Sequence, residues 1–251
     1  MMLDTHFYAH EPAGVRKQKI IAACLRGQEG RGEILDIGCG VGHLSAFMAS
    51  LGFKVTAVDE DAPSIALAKE QYGNQPGIKW LVGSVEAIRD RFDFVTAFEV
   101  CEHVPELDIF LERLKTRLKP GGQLIISVPN GWSVEELGRR FMARSFLGKK
   151  LKVFLRRGLL PKTNAQSAAD SPHVRWWGYA RWVKIFNKHG LRLKSANNVA
   201  FVFKQFYYLG GRRILKPTAL IFKFLDRADG ILAAKLPRRL ADGWILVFNV
   251  D

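Results

Sequence analysis

A short apolar run at residues 33–37 breaks into Asp36-Ile37-Gly38-Cys39-Gly40-Val41-Gly42 and then into a helical pattern at 43–51. Few architectures place alternating glycines between a strand and a helix. Such a turn brings backbone N–H groups close to a bound ligand, and a side chain would block that approach. The surroundings repeat the alternation. Further strands are expected at 53–58, 78–82, 93–98 and 123–128, with helices near 11–26, 62–72 and 107–118. This order predicts an α/β fold, a sheet doubly wound with helices on both faces. Lys119-Pro120-Gly121-Gly122 reads as the turn at which the last of these helices stops.

The glycine spacing separates two kinds of ligand. A dinucleotide fingerprint would need its third glycine at position 43, which is His43, whereas the third glycine here is Gly42. An acid, Asp36, also stands two residues before Gly38. The next strand ends in Asp59, from which a carboxylate can accept both hydroxyls of a ribose. The D-x-G-x-G-x-G pattern resembles the S-adenosylmethionine loop of class I methyltransferases, whose acid helps to orient the methionine amino group. That resemblance implies a Rossmann-like sheet of seven strands and cofactor contacts at Asp36, Gly38, Gly40 and Asp59. After the third strand, many of these enzymes carry an adenine-binding aspartate where this chain has Ser84.

Phe98-Glu99-Val100-Cys101-Glu102-His103-Val104-Pro105, with Asp93-Phe94-Val95 before it and Lys119-Pro120-Gly121-Gly122 after it, is a more specific run. Across roughly residues 16–130 the chain resembles the O-methyltransferases of ubiquinone biosynthesis. The likeness weakens beyond that span. It implies that Arg16 and Phe98 also contact the cofactor, and that Glu99, Glu102 and His103 bind a divalent metal. Spacing i, i+3, i+4 faces one side of a helical turn. Two carboxylates and an imidazole suit Mg²⁺, or a more nitrogen-tolerant ion such as Zn²⁺. Two alternatives stay open: His103 as a catalytic general base without metal, or a turn whose acids only favour the start of the next helix. His173, on a distant loop, is either a further ligand or a solvated side chain.

Charge divides the chain. The first 136 residues carry 14 Lys+Arg against 19 Asp+Glu, while residues 137–240 carry 24 against 3. Residues 137–160 place Phe141, Leu147, Leu151, Phe154 and Leu155 roughly on one helical face, among eight Lys or Arg and no acid. Such a helix suits an anionic membrane surface, and residues 212–239 offer a second basic stretch. Nucleic acid is the less favoured anionic partner, because the large apolar residues are spaced as a helix face rather than as stacking platforms. A solvated basic face over a core helix is the plainest alternative. The three cysteines, Cys24, Cys39 and Cys101, have neither disulfide nor zinc spacing. No uncharged apolar run approaches the roughly 18 residues of a spanning helix, and no signal peptide is visible at Met1. A cytoplasmic protein, peripheral on a membrane, is expected.

The simplest parse is a single methyltransferase domain over 1–251. Its core covers 12–130 and 173–251, and a basic helical insert at 131–172 follows the fifth strand. A helix at 175–189, strand-like residues at 191–203, a helix at 212–234 and a last strand at 244–249 complete it. The expected reaction moves a methyl group from S-adenosylmethionine to an oxygen of a small or lipid-linked acceptor, with metal assistance. An RNA 2′-O-methyltransferase and a non-catalytic cofactor-binding subunit are the alternatives.

Overall fold

The structure, a computed structural model, describes residues 12–133 except 29 and 31, residues 173–199, and residues 228, 231–233, 235 and 237–250. The expectations for 137–160 and 161–172 lie outside the described residues, as does most of 212–234.

Seven strands form one sheet in the order β3-β2-β1-β4-β5-β7-β6. They are β1 (Glu33–Ile37), β2 (Lys54–Asp59), β3 (Ile78–Val82), β4 (Phe92–Phe98), β5 (Leu118–Pro129), β6 (Leu191–Asn198) and β7 (Gly243–Val250). The first five pair in parallel, and β7 runs antiparallel to both β5 and β6. The helices are α1 (Pro12–Cys24), α2 (His43–Ser50), α3 (Ala62–Tyr72), α4 (Leu107–Thr116) and α5 (Tyr179–Lys188). No helix among the described residues is long and apolar enough to cross a membrane.

Adjacent residues of each central strand are buried on opposite faces, so the strands read as continuous apolar runs. Ile34, Phe94, Ile125 and Val247 pack with Ile21, Leu25, Met48 and Ile65, which belong to α1–α3 or directly follow α1. Leu35, Val95, Ile126 and Leu246 pack with Leu111 and Leu114 of α4 and with Trp182 and Phe186 of α5. Each large side chain buried in this way contributes about 1.5–3 kcal/mol, so both helical layers are held by the same sheet. The chain moves outward from β1 to β3 and returns on the other side at β4. That reversal opens a crevice at the carboxyl ends of β1 and β4, where ligands of open α/β sheets bind.

Two boundaries differ from the sequence reading. The Lys119–Gly122 turn is absorbed into β5: Leu118 pairs with Phe92 and Gln123 with Phe94, and the register shifts between them. The expected helix at 175–189 begins only at Tyr179, with Gly178 as its N-cap in an extended conformation.

Candidate functional site

Asp36 ends β1 inside the sheet, 2% exposed. Its carboxylate accepts hydrogen bonds from Ser45 Oγ at 2.5 Å and Thr96 Oγ1 at 2.7 Å. Burial pushes its pKa up to about 6, while the two hydroxyl donors hold it down and the Asp59 charge raises it slightly. Thr96 was hidden in an apolar strand, and its polarity there was the only signal of this role.

The glycine loop is fastened to the end of β2. Gly38 and Cys39 donate their N–H groups to Val58 O at 2.8 and 3.1 Å. The Gly40 N–H reaches Asp59 Oδ2 at 2.7 Å, and the Asp61 N–H reaches Oδ1 at 2.9 Å. At Gly38, φ is +69° and a Cβ would lie 2.4 Å from Val100 Cγ2, so this turn needs glycine to press against the segment after β4. At Gly40, φ is +53° and a Cβ would meet nothing within 4 Å among the described residues, which leaves the loop's outer side open to a ligand. Helix α2 starts at Gly42 with no side-chain cap, so its first N–H groups add a positive partial charge at that opening. Asp36, Gly38, Gly40 and Asp59, the residues expected at the cofactor, are thus brought together at one opening.

Arg16 and Phe98, also expected at the cofactor, lie outside the glycine loop. Arg16 Nη1 donates to Val199 O at 2.9 Å, tying α1 to the chain beyond β6. Phe98 closes β4 and is buried in the layer packed against α1–α3. Burial, reinforced by Asp36 and Asp59, pushes the Cys39 thiol up, and the Cys101 thiol is raised by burial and then by Glu102. Neither provides a thiolate nucleophile.

Past β4 the chain does not form the helical turn that the i, i+3, i+4 spacing predicted. Glu99 adopts φ +55°, in the left-handed region, and α4 starts only at Leu107. Ser127 holds that conformation: its Oγ accepts the Glu99 N–H at 3.0 Å and donates to Glu99 Oε1 at 2.6 Å. Lys17 Nζ meets the same Oε1 at 3.1 Å. Glu99 is therefore turned toward α1 and β5. Glu102 is fully buried, and neither carboxylate oxygen accepts a hydrogen bond among the described residues. His103 Nε2 is 3.8 Å from its Oε1. Burial pushes the Glu102 carboxyl up to about 9; Glu99 adds to the rise and Lys17 opposes it.

The third residue of this group comes from far along the chain. The ligand atoms of Glu102, His103 and His173 all lie within 4.8 Å of one another, and Glu99 is not among them. The His173 ring stands edge-on to that of His103, centroids 4.7 Å apart, and is 5.1 Å from Trp176. Neighbouring residues fix the segment: Val174 N–H donates to Glu102 O at 2.9 Å. Arg175 donates to the carbonyls of Cys101, Val104 and Pro105. That use of Arg175 explains why α5 starts late.

The chain resembles known proteins at both levels. A family model described as a methyltransferase domain matches residues 8–196. The mitochondrial ubiquinone biosynthesis O-methyltransferase of Schizosaccharomyces pombe is 42% identical over 110 residues, 41% of this chain and 39% of that protein. The ubiquinone biosynthesis O-methyltransferase of Nitrobacter winogradskyi is 40% identical over 119 residues, 46% of this chain and 44% of that protein. The chain thus spans less than half the length of these relatives. Among solved structures, the 1,6-didemethyltoxoflavin-N1-methyltransferase of Burkholderia thailandensis, with bound S-adenosylhomocysteine, is similar in fold. Its TM-score is 0.55 at 16% identity, with 97% of this chain and 81% of that one covered.

Proposed function

The chain belongs to the methyltransferase-domain family, and from that premise we propose that it transfers the methyl group of S-adenosylmethionine to an acceptor hydroxyl. The observation that carries this reading is the contact of two loops at one crevice. Gly38 of the cofactor cradle abuts Val100, and Val100 leads directly to Glu102 and His103. A bound sulfonium would thus stand beside an acid and an imidazole. Where no cation is bound, His103 takes the acceptor proton; the oxygen attacks the methyl carbon as its bond to sulfur breaks; S-adenosylhomocysteine leaves. Proximity and a deprotonated nucleophile are most of what such a transfer requires. The buried carboxylate of Glu102 next to His103 alternatively fits a divalent cation, which would lower the pKa of the acceptor hydroxyl so that solvent takes its proton and His103 serves as ligand rather than base.

Calorimetry should give micromolar binding of S-adenosylmethionine, and preference for NAD would overturn the reading. With a catechol acceptor and methyl-labelled cofactor, His103→Ala should lower kcat by about 10²–10⁴-fold at unchanged cofactor affinity, the usual contribution of a positioned acid–base group. Equal loss of cofactor affinity would place His103 in the cradle instead.

Two observations support a lipid-linked phenolic acceptor: the rings of His103, His173 and Trp176 beside the acid, and relatives named for ubiquinone biosynthesis. The excess of 24 Lys+Arg over 3 Asp+Glu in residues 137–240 supports an anionic membrane as the surface on which that acceptor is met. Each such charge near the bilayer contributes about 1 kcal/mol. The protein should sediment with anionic vesicles, less with zwitterionic ones, and less again in high salt or as Phe154→Asp. Tight RNA binding that survives Phe154→Asp, with no vesicle binding, would replace the membrane by nucleic acid.

A further inference from the structure

We propose that His173 is a direct ligand of a divalent cation together with Glu102 and His103, and that Glu99 is not. The inference deepens the function reading and rests on it only in taking the Glu102–His103 turn as the acceptor side.

A fully buried carboxylate with no hydrogen-bond donor among the described residues lacks what would normally offset its desolvation. Two imidazoles converge on it, and all three ligand atoms lie within 4.8 Å of one another. Donors around a tetrahedral ion at about 2.1 Å stand about 3.4 Å apart, so modest side-chain rotation closes the set. Glu99 has other work. Its Oε1 already receives the Lys17 ammonium and the Ser127 hydroxyl, and its left-handed backbone is fixed by the same serine. Bringing it to the metal would discard those bonds.

His173 is held where a ligand would need to be. The next residue donates its N–H to Glu102 O, and the one after clamps the carbonyls of Cys101, Val104 and Pro105. The same peptide segments thus carry ligands and their anchors, which limits the entropy lost on metal binding. Two nitrogens and one carboxylate favour Zn²⁺ or Co²⁺ over Mg²⁺, which prefers an all-oxygen shell. Three protein ligands also leave a position for an acceptor oxygen, as in catalytic zinc sites.

The test uses the full chain, stripped of metal, with Co²⁺ as a spectroscopic probe. Wild type should bind one Co²⁺ with visible absorption, displaced by Zn²⁺ and not by millimolar Mg²⁺. His173→Phe should weaken Co²⁺ binding by more than about 100-fold, since losing even a group that only supports a ligand costs about 10–100-fold. His173→Asp should restore part of it. Glu99→Gln should leave affinity and spectrum nearly unchanged. Affinity for S-adenosylmethionine, measured on each variant, reports folding. Should His173→Phe not fold, paramagnetically shifted imidazole N–H signals of Co²⁺-loaded wild type decide: two histidines are expected, and one overturns the proposal. It is also overturned if Glu99→Gln abolishes binding while His173→Phe does not, or if wild type takes up no Co²⁺. Methyl transfer that fails while Co²⁺ binds as described would sink the function reading and leave the ligand set standing.

Discussion

Two carboxylates lie buried on the two edges of one crevice, Asp36 at 2% exposure and Glu102 at 0%. Burial raises both. Asp36, with Ser45 and Thr96 donating to it, is pushed to about 6, whereas Glu102, with no donor among the described residues, is pushed to about 9. The cofactor edge carries its own hydrogen-bond partners: Asp59 is likewise met by the Gly40 and Asp61 N–H groups, and Asp61 caps α3 by accepting from Ser64. The Glu102 carboxylate has no such partner among the described residues. Among the described residues, one buried carboxylate is hydrogen-bonded in place and the other is not.

The sharpest way to break this contrast is to remove the acid that organises the cofactor edge. Asp59→Ala deletes two backbone hydrogen bonds and the carboxylate proposed to accept the ribose hydroxyls. Bonds to a charged group are worth about 1.5–3 kcal/mol each, so affinity for S-adenosylmethionine should fall by about 100-fold or more. Calorimetry showing less than a tenfold loss would mean that the edge is not preorganised by Asp59.

A second effect is smaller and depends on pH. Asp36 is raised from the ordinary aspartate range near 3.9 to about 6, so the folded state holds its proton more tightly than the unfolded chain. Stability from that preference is present below about pH 4 and is lost as pH rises through about 6. Asp36→Asn removes the penalty. In urea unfolding without ligand it should therefore be more stable than wild type at pH 7.5, by up to about 3 kcal/mol, and the difference should vanish toward pH 4. Affinity for the cofactor should drop in the same variant. An unchanged pH profile would show that the Ser45 and Thr96 hydroxyls offset burial entirely.

These two edges also explain what could be read from residues alone. Asp36, Gly38, Gly40 and Asp59 are brought together by one strand-turn-helix-strand unit, so sequence spacing and spatial neighbourhood coincide. Both core layers follow from the same alternation. The surroundings of Glu99, Glu102 and His103 draw on α1, the turn after β4, β5 and the segment at 173–176, and no period links these. The expectation that Glu99 faces the same side as Glu102 and His103 assumed helical backbone, and a φ of +55° at Glu99 removes that assumption. Thr96 and Ser127 were visible only as polar residues within apolar strands. The bulge at Lys119–Gly122 kept its turn chemistry but lies inside β5 because Leu118 still pairs with Phe92.

The smallest expected effects divide the two groups that hold Glu99. Ser127 is fully buried and makes two bonds to it through its hydroxyl, one to the backbone N–H and one to the carboxylate. Lys17 makes one ion pair, with side chains 18% and 40% exposed. Losing the serine hydroxyl leaves the Glu99 N–H its bond to the Ser127 backbone carbonyl at 3.2 Å but removes the bond to the carboxylate and loosens a left-handed non-glycine residue, a conformation that costs about 1–3 kcal/mol to maintain. Ser127→Ala should therefore destabilise by about 1–3 kcal/mol, the cost of unmade buried hydrogen bonds. A partly solvated pair is worth about 0–1 kcal/mol and is screened by salt. Lys17→Met should thus lower stability by less than about 1 kcal/mol, with the difference shrinking in 1 M salt. Urea titrations of both variants at low and high salt give the comparison directly. A larger loss from Lys17→Met than from Ser127→Ala would mean that α1, rather than β5, sets the conformation of the turn, and that the acceptor edge is organised from the amino-terminal helix.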